Sequence, residues 1–261
     1  MIGEAALRLI FFIAVFAAMA LWEWRAPLRP TARGRRWVGN LGLTALNTVV
    51  VRLLFPAAAV GAALDASAKG WGLFNALDWP VWLEGAIVFL ALDFAIWAQH
   101  VVFHHVPALW RLHQVHHADE AMDVTTGFRF HPGEIAISMA VKIGLVYLLG
   151  AAALAVVAFE IALNAAAMFS HSNLRLGPRV ERALRRVIVT PDMHRSHHSI
   201  HRREHDTNFG FLLSIWDRMF RVYTKDPAEG HEKMRIGLPE WRDGRTAGFI
   251  WSLVLPFRKR K

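Results

Sequence analysis

The chain has no cysteine among its 261 residues. That absence excludes disulfides, thiolate metal ligands, iron–sulfur clusters and thiol nucleophiles, so any metal chemistry falls to nitrogen and oxygen donors. Acidic residues are scarce beside basic ones, 21 Asp and Glu against 30 Lys and Arg, a net charge of +9. Such a surplus suits nucleic acid, yet no basic tract here has recognition-type spacing. The basic residues instead sit between or just after apolar runs, where they hold a chain against an anionic membrane face. No G-x-G-x-x-G dinucleotide fingerprint is present either, so reducing equivalents are not supplied by a bound nicotinamide of this kind.

What the chain has in abundance is apolar sequence and histidine. Hydrophobic residues make up 54% and the mean hydropathy is +0.28, more apolar than an ordinary soluble domain. The first run, Ile2 to Trp22, is long enough to span a bilayer. The arginine-rich loop after it, Arg25, Arg29, Arg33, Arg35 and Arg36 against Glu23, is expected on the cytoplasmic side. A second run, Val38 to Leu64, contains Arg52 and Pro56 and reads as a kinked helix. Trp71, Trp79 and Trp82 then look like interfacial anchors on the outer side, and a third span, Val81 to His104, returns inward. Gly133 to Ser170 is too long for one crossing and reads as a hairpin broken near Gly150. Lys142 in it either snorkels or has a partner within the bundle, and Glu160 and Asn164 take structural hydrogen bonds. Residues 179–190 carry Val180, Ala183, Leu184, Val187 and Ile188 opposite Arg179, Arg182, Arg185 and Arg186, the pattern of an interfacial amphipathic helix. The short apolar piece Phe249 to Phe257 is expected to dock rather than span. The fold class is therefore all-α, a polytopic membrane bundle with interfacial helices. Its parts are an N-terminal set of spans over 1–80, a catalytic unit over 81–225 and a flank over 226–261.

Three histidine clusters organise this frame. His100 and His104 lie one helical turn apart on one face of the third span. His113, His116 and His117 follow as H-x-x-H-H, and the same spacing returns at His194, His197 and His198. Three clusters in a chain with 14 histidines point to metal, and imidazole suits Zn, Cu, Fe and Ni alike. Asp93, seven before His100, reads either as the carboxylate orienting a ligand imidazole or as an ordinary helix–helix hydrogen bond. Phe209, Phe211, Trp216, Phe220 and Tyr223 are expected to cover the site. His201, His205 and His231 fall outside the repeated pattern and are not expected to be ligands, and His105 lies off the face of His100 and His104.

The set H-x3-H, H-x-x-H-H and H-x-x-H-H, with FRFHP, FSHSN, TPDMHRSHH and DTNFG…WDRMF, resembles the fatty acid hydroxylase/sterol desaturase superfamily over about residues 90–224. The resemblance implies a non-haem di-iron centre at the cytoplasmic face that uses O2 to hydroxylate or desaturate a lipid C–H bond. By matching positions the ligands would be His100, His104, His113, His116, His117, His194, His197 and His198, with His131 and His171 as further family histidines. Asp93 and Asn208 would be supporting residues. HPGE at His131 departs from the haem-binding HPGG of cytochrome-b5 domains, so electrons would come from a separate reductase or ferredoxin-like partner, or from tetrahydropterin as in the alkylglycerol monooxygenase branch. Two rival functions are a metal-dependent lipid hydrolase, whose carboxylate ligands would come from Asp119, Glu120, Asp123 or Asp192, and a metal transporter using Asp93 and Glu160 within the spans.

Overall fold

A computed structural model describes residues 4–258. Ile2, where the sequence reading starts the first span, lies outside them, as do residues 259–261. Among the described residues the backbone is helix and turn, with three isolated β-bridges and no strand. The long helices are α1 (Glu4–Arg25), α2 (Gly34–Leu54), α3 (Ala58–Lys69), α4 (Val81–His105), α5 (Pro107–His117), α6 (Pro132–Leu149) and α7 (Ala153–His171). Short ones follow: α8 (Pro178–Leu184), α9 (Pro191–His197), α10 (Arg202–His205), α11 (Ile215–Met219), α12 (Gly230–Lys233) and α13 (Phe249–Val254). Among the described residues five stretches are long and apolar enough to cross a membrane: 6–25, 34–75, 81–105, 132–149 and 153–171.

The second stretch is broken rather than kinked. Pro56 cannot donate to the preceding turn, Phe55 leaves the helical region at φ −134°, ψ 70°, and Ala58 restarts at φ 49°. Both halves still follow α6 along its length. Asn47 of α2 donates to Phe130 O just before α6 begins, at 3.0 Å, and Tyr147 near its end donates to Asp65 of α3 at 2.8 Å. The far turn is closed by glycine: at Gly72, φ 96°, a Cβ would lie 2.1 Å from Gly150 N. Gly150 itself, at φ 65°, ends α6 and makes the expected hairpin with α7. Trp71, Trp79 and Trp82 are exposed at this end.

Inside the bundle Lys142 has a partner rather than snorkelling. Its ammonium meets Glu160 at 2.7 Å, and Arg8 of α1 reaches the same carboxylate, so α1, α6 and α7 are tied by charge within the apolar layer. Asn164 donates to Glu160 O, the structural bond expected of it.

At the other end the helix termini are tied to the connecting loops. Buried Glu23, at the end of α1, accepts from Val124 N at 2.8 Å and Asn173 N at 2.7 Å, which fixes the segments after α5 and after α7. Arg36 is not a headgroup contact: it is buried, and it bridges Asp119 and Asp123 at 2.6 Å each. Arg129, fully buried, bonds Val115 O, Asn40 Oδ1, Thr246 O and Ser252 Oγ. The C-terminal apolar piece is thereby docked, with Trp251 and Leu255 packed against Leu43 and Val115.

Residues 179–190 do not form one amphipathic helix. α8 stops at Leu184 because Arg185 is drawn inward by Glu181 at 2.8 Å and by Lys225 O at 3.0 Å. The backbone then straightens to bridge Ile188 with Leu213. Val180 and Val187 remain exposed.

Candidate metal centre

Helical spacing assembles the clusters. In α4 and α5 the i, i+4 pairs His100/His104 and His113/His117 each share a face, and the Val106–Pro107 corner folds α5 back against the end of α4. Thr190 caps α9 through Met193 N, and Pro191 opens it. His194 and His197 therefore lie one turn apart with His198 just beyond, and His171 closes α7. All nine rings are 4% exposed or less. They sort into two groups whose donor atoms lie within 4.8 Å of one another: His100, His104, His113, His117 and His197, and separately His116, His171, His194 and His198.

Hydrogen bonding sets which nitrogen faces inward. The Nδ1 of His100 lies 2.7 Å from Phe209 O, that of His197 2.7 Å from Thr207 O, that of His171 2.8 Å from Ala167 O, and that of His116 3.3 Å from Arg129 O. A carbonyl only accepts, so each of these four rings carries a proton on Nδ1, and in its neutral form the bare lone pair is then on Nε2. Those lone pairs face one another: Nε2 to Nε2 is 3.1 Å between His100 and His197 and 3.1 Å between His116 and His171. Two lone pairs at that distance repel unless a cation lies between them. Nitrogen donors about 2.0–2.1 Å from a metal and at right angles to each other would sit about 2.9 Å apart. The further Nε2 separations, 3.0 Å for His100/His113, 3.1 Å for His104/His117 and 2.9 Å for His171/His194, match that spacing. Both nitrogens of buried His198 and the Nδ1 atoms of His117 and His194 have no hydrogen-bond partner within the protein. The donor set thus fits a pair of metal ions with imidazole affinity.

Burial keeps the donors deprotonated. It pushes His113 down to about 3, and burial followed by crowding from neighbouring imidazoles drives His116, His117, His194, His197 and His198 well below the usual value. None of these six needs to shed a proton before binding metal at neutral pH.

Carboxylates stand behind the imidazoles. Glu134 Oε1 lies 2.7 Å from His113 Nδ1, and Asp206 Oδ1 lies 3.4 Å from His104 Nδ1. Removing Glu134 (Glu134→Ala) leaves a buried N–H without its acceptor. It is expected to weaken metal retention about 10–100-fold, read by chelator competition followed by metal analysis; retention equal to wild type would refute this role.

Several sequence expectations are corrected. His131 joins neither group: its Nδ1 accepts from Gly133 N at 3.0 Å to cap α6, and its Nε2 lies 3.3 Å from Leu253 O. Asp93 orients no imidazole, because its Oδ2 accepts from Trp216 Nε1 at 2.7 Å, the plain inter-element bond. Asn208, in the left-handed region at φ 54°, touches no histidine; it donates to Met193 O and Thr224 O and so pins the start of α9 to the segment after α11. His205, set aside on spacing, is buried, with its ring 4.5 Å from His117 and 4.8 Å from His104. Its one sequence signal is an H-x3-H spacing with His201, but only His205 turns inward, carried by the short helix α10, while His201 stays outside on Glu229. The other outliers stay outside: His105 is exposed, His201 pairs with Glu229, and His231 pairs with Asp226.

The carboxylates available to a hydrolase are otherwise engaged. Asp119 and Asp123 hold Arg36, Asp192 holds Arg195, and Glu120 accepts from Gly244 N and Thr246 Oγ1. Aromatic rings wall the groups instead. Phe209 lies 5.0 Å from His104, Phe211 4.9 Å from His100, and Phe130 stacks on His116 at 4.4 Å. Trp216 and Phe220 pack on Phe94 and Trp97 of α4, and Tyr223 sits under Arg218, so those three do not cover the site.

Comparison with known proteins gives the same frame a lineage. The chain is similar to the ornithine lipid hydroxylase of Rhizobium tropici, 29% identical over 187 residues, which is 70% of this chain and 53% of that protein. It is similar to the alkylglycerol monooxygenase of Xenopus tropicalis, 29% identical over 239 residues, 87% of this chain and 48% of that protein. The human alkylglycerol monooxygenase is 29% identical over 173 residues, 65% of this chain and 36% of that protein. The chain thus spans about half the length of the first two. No solved structure matches significantly. The fatty acid hydroxylase profile matches residues 85–222, a stretch that carries both imidazole groups and the residues that orient them, and the chain belongs to the fatty acid hydroxylase family.

Proposed function

We propose that this protein is a membrane-bound lipid C–H oxygenase working through two iron ions. The single observation that carries the reading is the facing of unprotonated Nε2 atoms, in two sets, at one end of a bundle of membrane-length helices. His100, His104, His113, His117 and His197 would hold one ion and His116, His171, His194 and His198 the other. Such a pair of ions, when bound, supplies the activation of O2 that no protein side chain provides. The residues supply the rest. Four peptide oxygens and Glu134 fix the tautomers, and Phe130, Phe209 and Phe211 keep water from the reacting end. The catalytic unit over 81–225 is buttressed by the first spans and by the docked C-terminal piece.

The reaction is one C–H bond and O2 converted to C–OH and water, with two electrons and two protons drawn from an external donor. That donor is a redox protein docking on the basic end of the bundle, or a reduced pterin. The names of the relatives support a lipid substrate of the ornithine-lipid or alkylglycerol kind. The arginines at the imidazole end, including Arg25, Arg33 and Arg35, support a cytoplasmic site.

The test is detergent-purified protein reconstituted with ferrous iron and a reductant, with O2 uptake followed beside lipid mass spectrometry. Metal-dependent uptake and a lipid product gaining one oxygen atom are expected. A product lacking two hydrogens would make the enzyme a desaturase, and a split ester without O2 uptake would overturn the reading.

A further inference from the structure

A cleft of about 570 Å³ opens beside the candidate centre and is lined by His104, Trp110, Arg111, Gln114, Arg202 and Arg258 among others. Its volume falls within the roughly 300–1,000 Å³ of small-ligand sites. Three features distinguish it. First, His104 belongs both to the cleft wall and to the five-imidazole group, so the cleft lies just behind one wall of that group.

Second, three guanidiniums converge there, and no carboxylate is among the described residues that line it. Each guanidinium is only partly engaged. Arg111 gives Nε to Pro256 O, Arg202 gives Nε to Asp206, and Arg258 lies 6.0 Å from the Trp251 ring. Donors remain on all three, and planar forks of this kind pair with oxyanions bidentately.

Third, the chain next to the lining residues is apolar and exposed. Val102 and Val106, at the α4–α5 corner, are 46% and 41% exposed, and Phe257, beside Arg258, is 74% exposed. A cationic recess with an apolar lip at the end of a membrane bundle is the complement of an amphiphile with a negative head.

We infer that this cleft seats the phosphate or carboxylate headgroup of an anionic lipid, with its hydrocarbon on the Val102–Val106 side, adjacent to His104. That the bound lipid is also the molecule oxidised rests on the oxygenase reading; that the cleft selects an anionic head does not.

Calorimetric titration of the metal-loaded protein in a neutral detergent tests this. The probes are short-chain phosphatidic acid, the diacylglycerol of the same chains, and inorganic phosphate. Phosphatidic acid is expected to bind more tightly than diacylglycerol. Arg111→Gln with Arg258→Gln is expected to erase about fivefold per charge, on the order of twentyfold together, and to leave diacylglycerol unchanged. Arg111→Lys, which keeps the charge, should hold most of the preference. If the double variant does not fold with full metal content, Arg258→Gln alone carries the expectation at about fivefold.

Equal affinity for phosphatidic acid and diacylglycerol would overturn the proposal. Inorganic phosphate matching phosphatidic acid would overturn the lipid assignment in favour of a free oxyanion. Metal-dependent O2 uptake on the same preparation separates the two readings. Uptake without headgroup preference sinks this proposal alone, and headgroup preference without uptake sinks the oxygenase reading alone.

Discussion

His197→Ala is expected to abolish lipid oxidation and to strip metal from the five-imidazole group, while the protein still inserts into membranes and purifies as before. His197 Nε2 sits 3.1 Å from that of His100, and the ring packs 4.7 Å from His104 and 4.6 Å from His117. In the proposed division it would therefore be a central donor of that group rather than a peripheral one. Loss of a group that merely supports a ligand costs about 10–100-fold in metal affinity, so loss of a donor itself should exceed about 100-fold. His131→Ala is the matched control, because it removes another histidine of the resemblance that here caps α6 and meets Leu253 O outside both imidazole groups. Metal analysis of both variants decides the matter. Full metal in His197→Ala, or metal loss in His131→Ala equal to that of His197→Ala, would refute the ligand division drawn above.

Arg36→Ala is expected to show the largest loss of stability of any single change outside the imidazoles. Arg36 is buried and pairs at 2.6 Å with both Asp119 and Asp123. Trp37, Asn40, Thr125 and Thr126 share those carboxylates. Breaking a buried ion pair by removing one partner costs about 3–5 kcal/mol, because the remaining charge is left without compensation. Here two carboxylates would be stranded, in the segment that joins His117 to Arg129. The expected result is a marked drop in the thermal midpoint in detergent, and loss of metal only as the fold is lost. A midpoint within a degree or two of wild type would show that water reaches these carboxylates and that the pairing contributes little.

The parts of this architecture that were legible in the sequence are those governed by short-range periodicity. Membrane-length apolar runs, the hairpin at Gly150 and the shared faces of His100/His104 and His113/His117 all follow from residues a few positions apart. The helix break at Pro56 was legible as a disturbance but not as a full interruption, since whether a proline kinks or breaks a helix depends on what its neighbours pack against. Roles set by distant partners were not legible. Arg185 fits an exposed basic face by periodicity, yet Glu181 and the 213–225 segment draw it inside. Asp93 lies seven residues from His100, but its partner is an indole 123 positions away. Glu134 was visible in FRFHPGE without any sign that it would back His113, 21 residues earlier in the chain. His205 shares only an H-x3-H spacing with His201, which stays outside, and nothing local says that it would lie beside His117.

The carboxylates behind the imidazoles have one consequence for the centre as a whole. Both of them, Glu134 and Asp206, serve rings of the five-membered group. The four-membered group is backed by peptide oxygens at Arg129 and Ala167 and by the Ser170 hydroxyl, without a carboxylate, and two of its rings have no such backing within the protein. The two halves are therefore held differently, the five-ring group partly by side-chain carboxyls from α6 and from the end of α10, the four-ring group by its own neighbouring backbone.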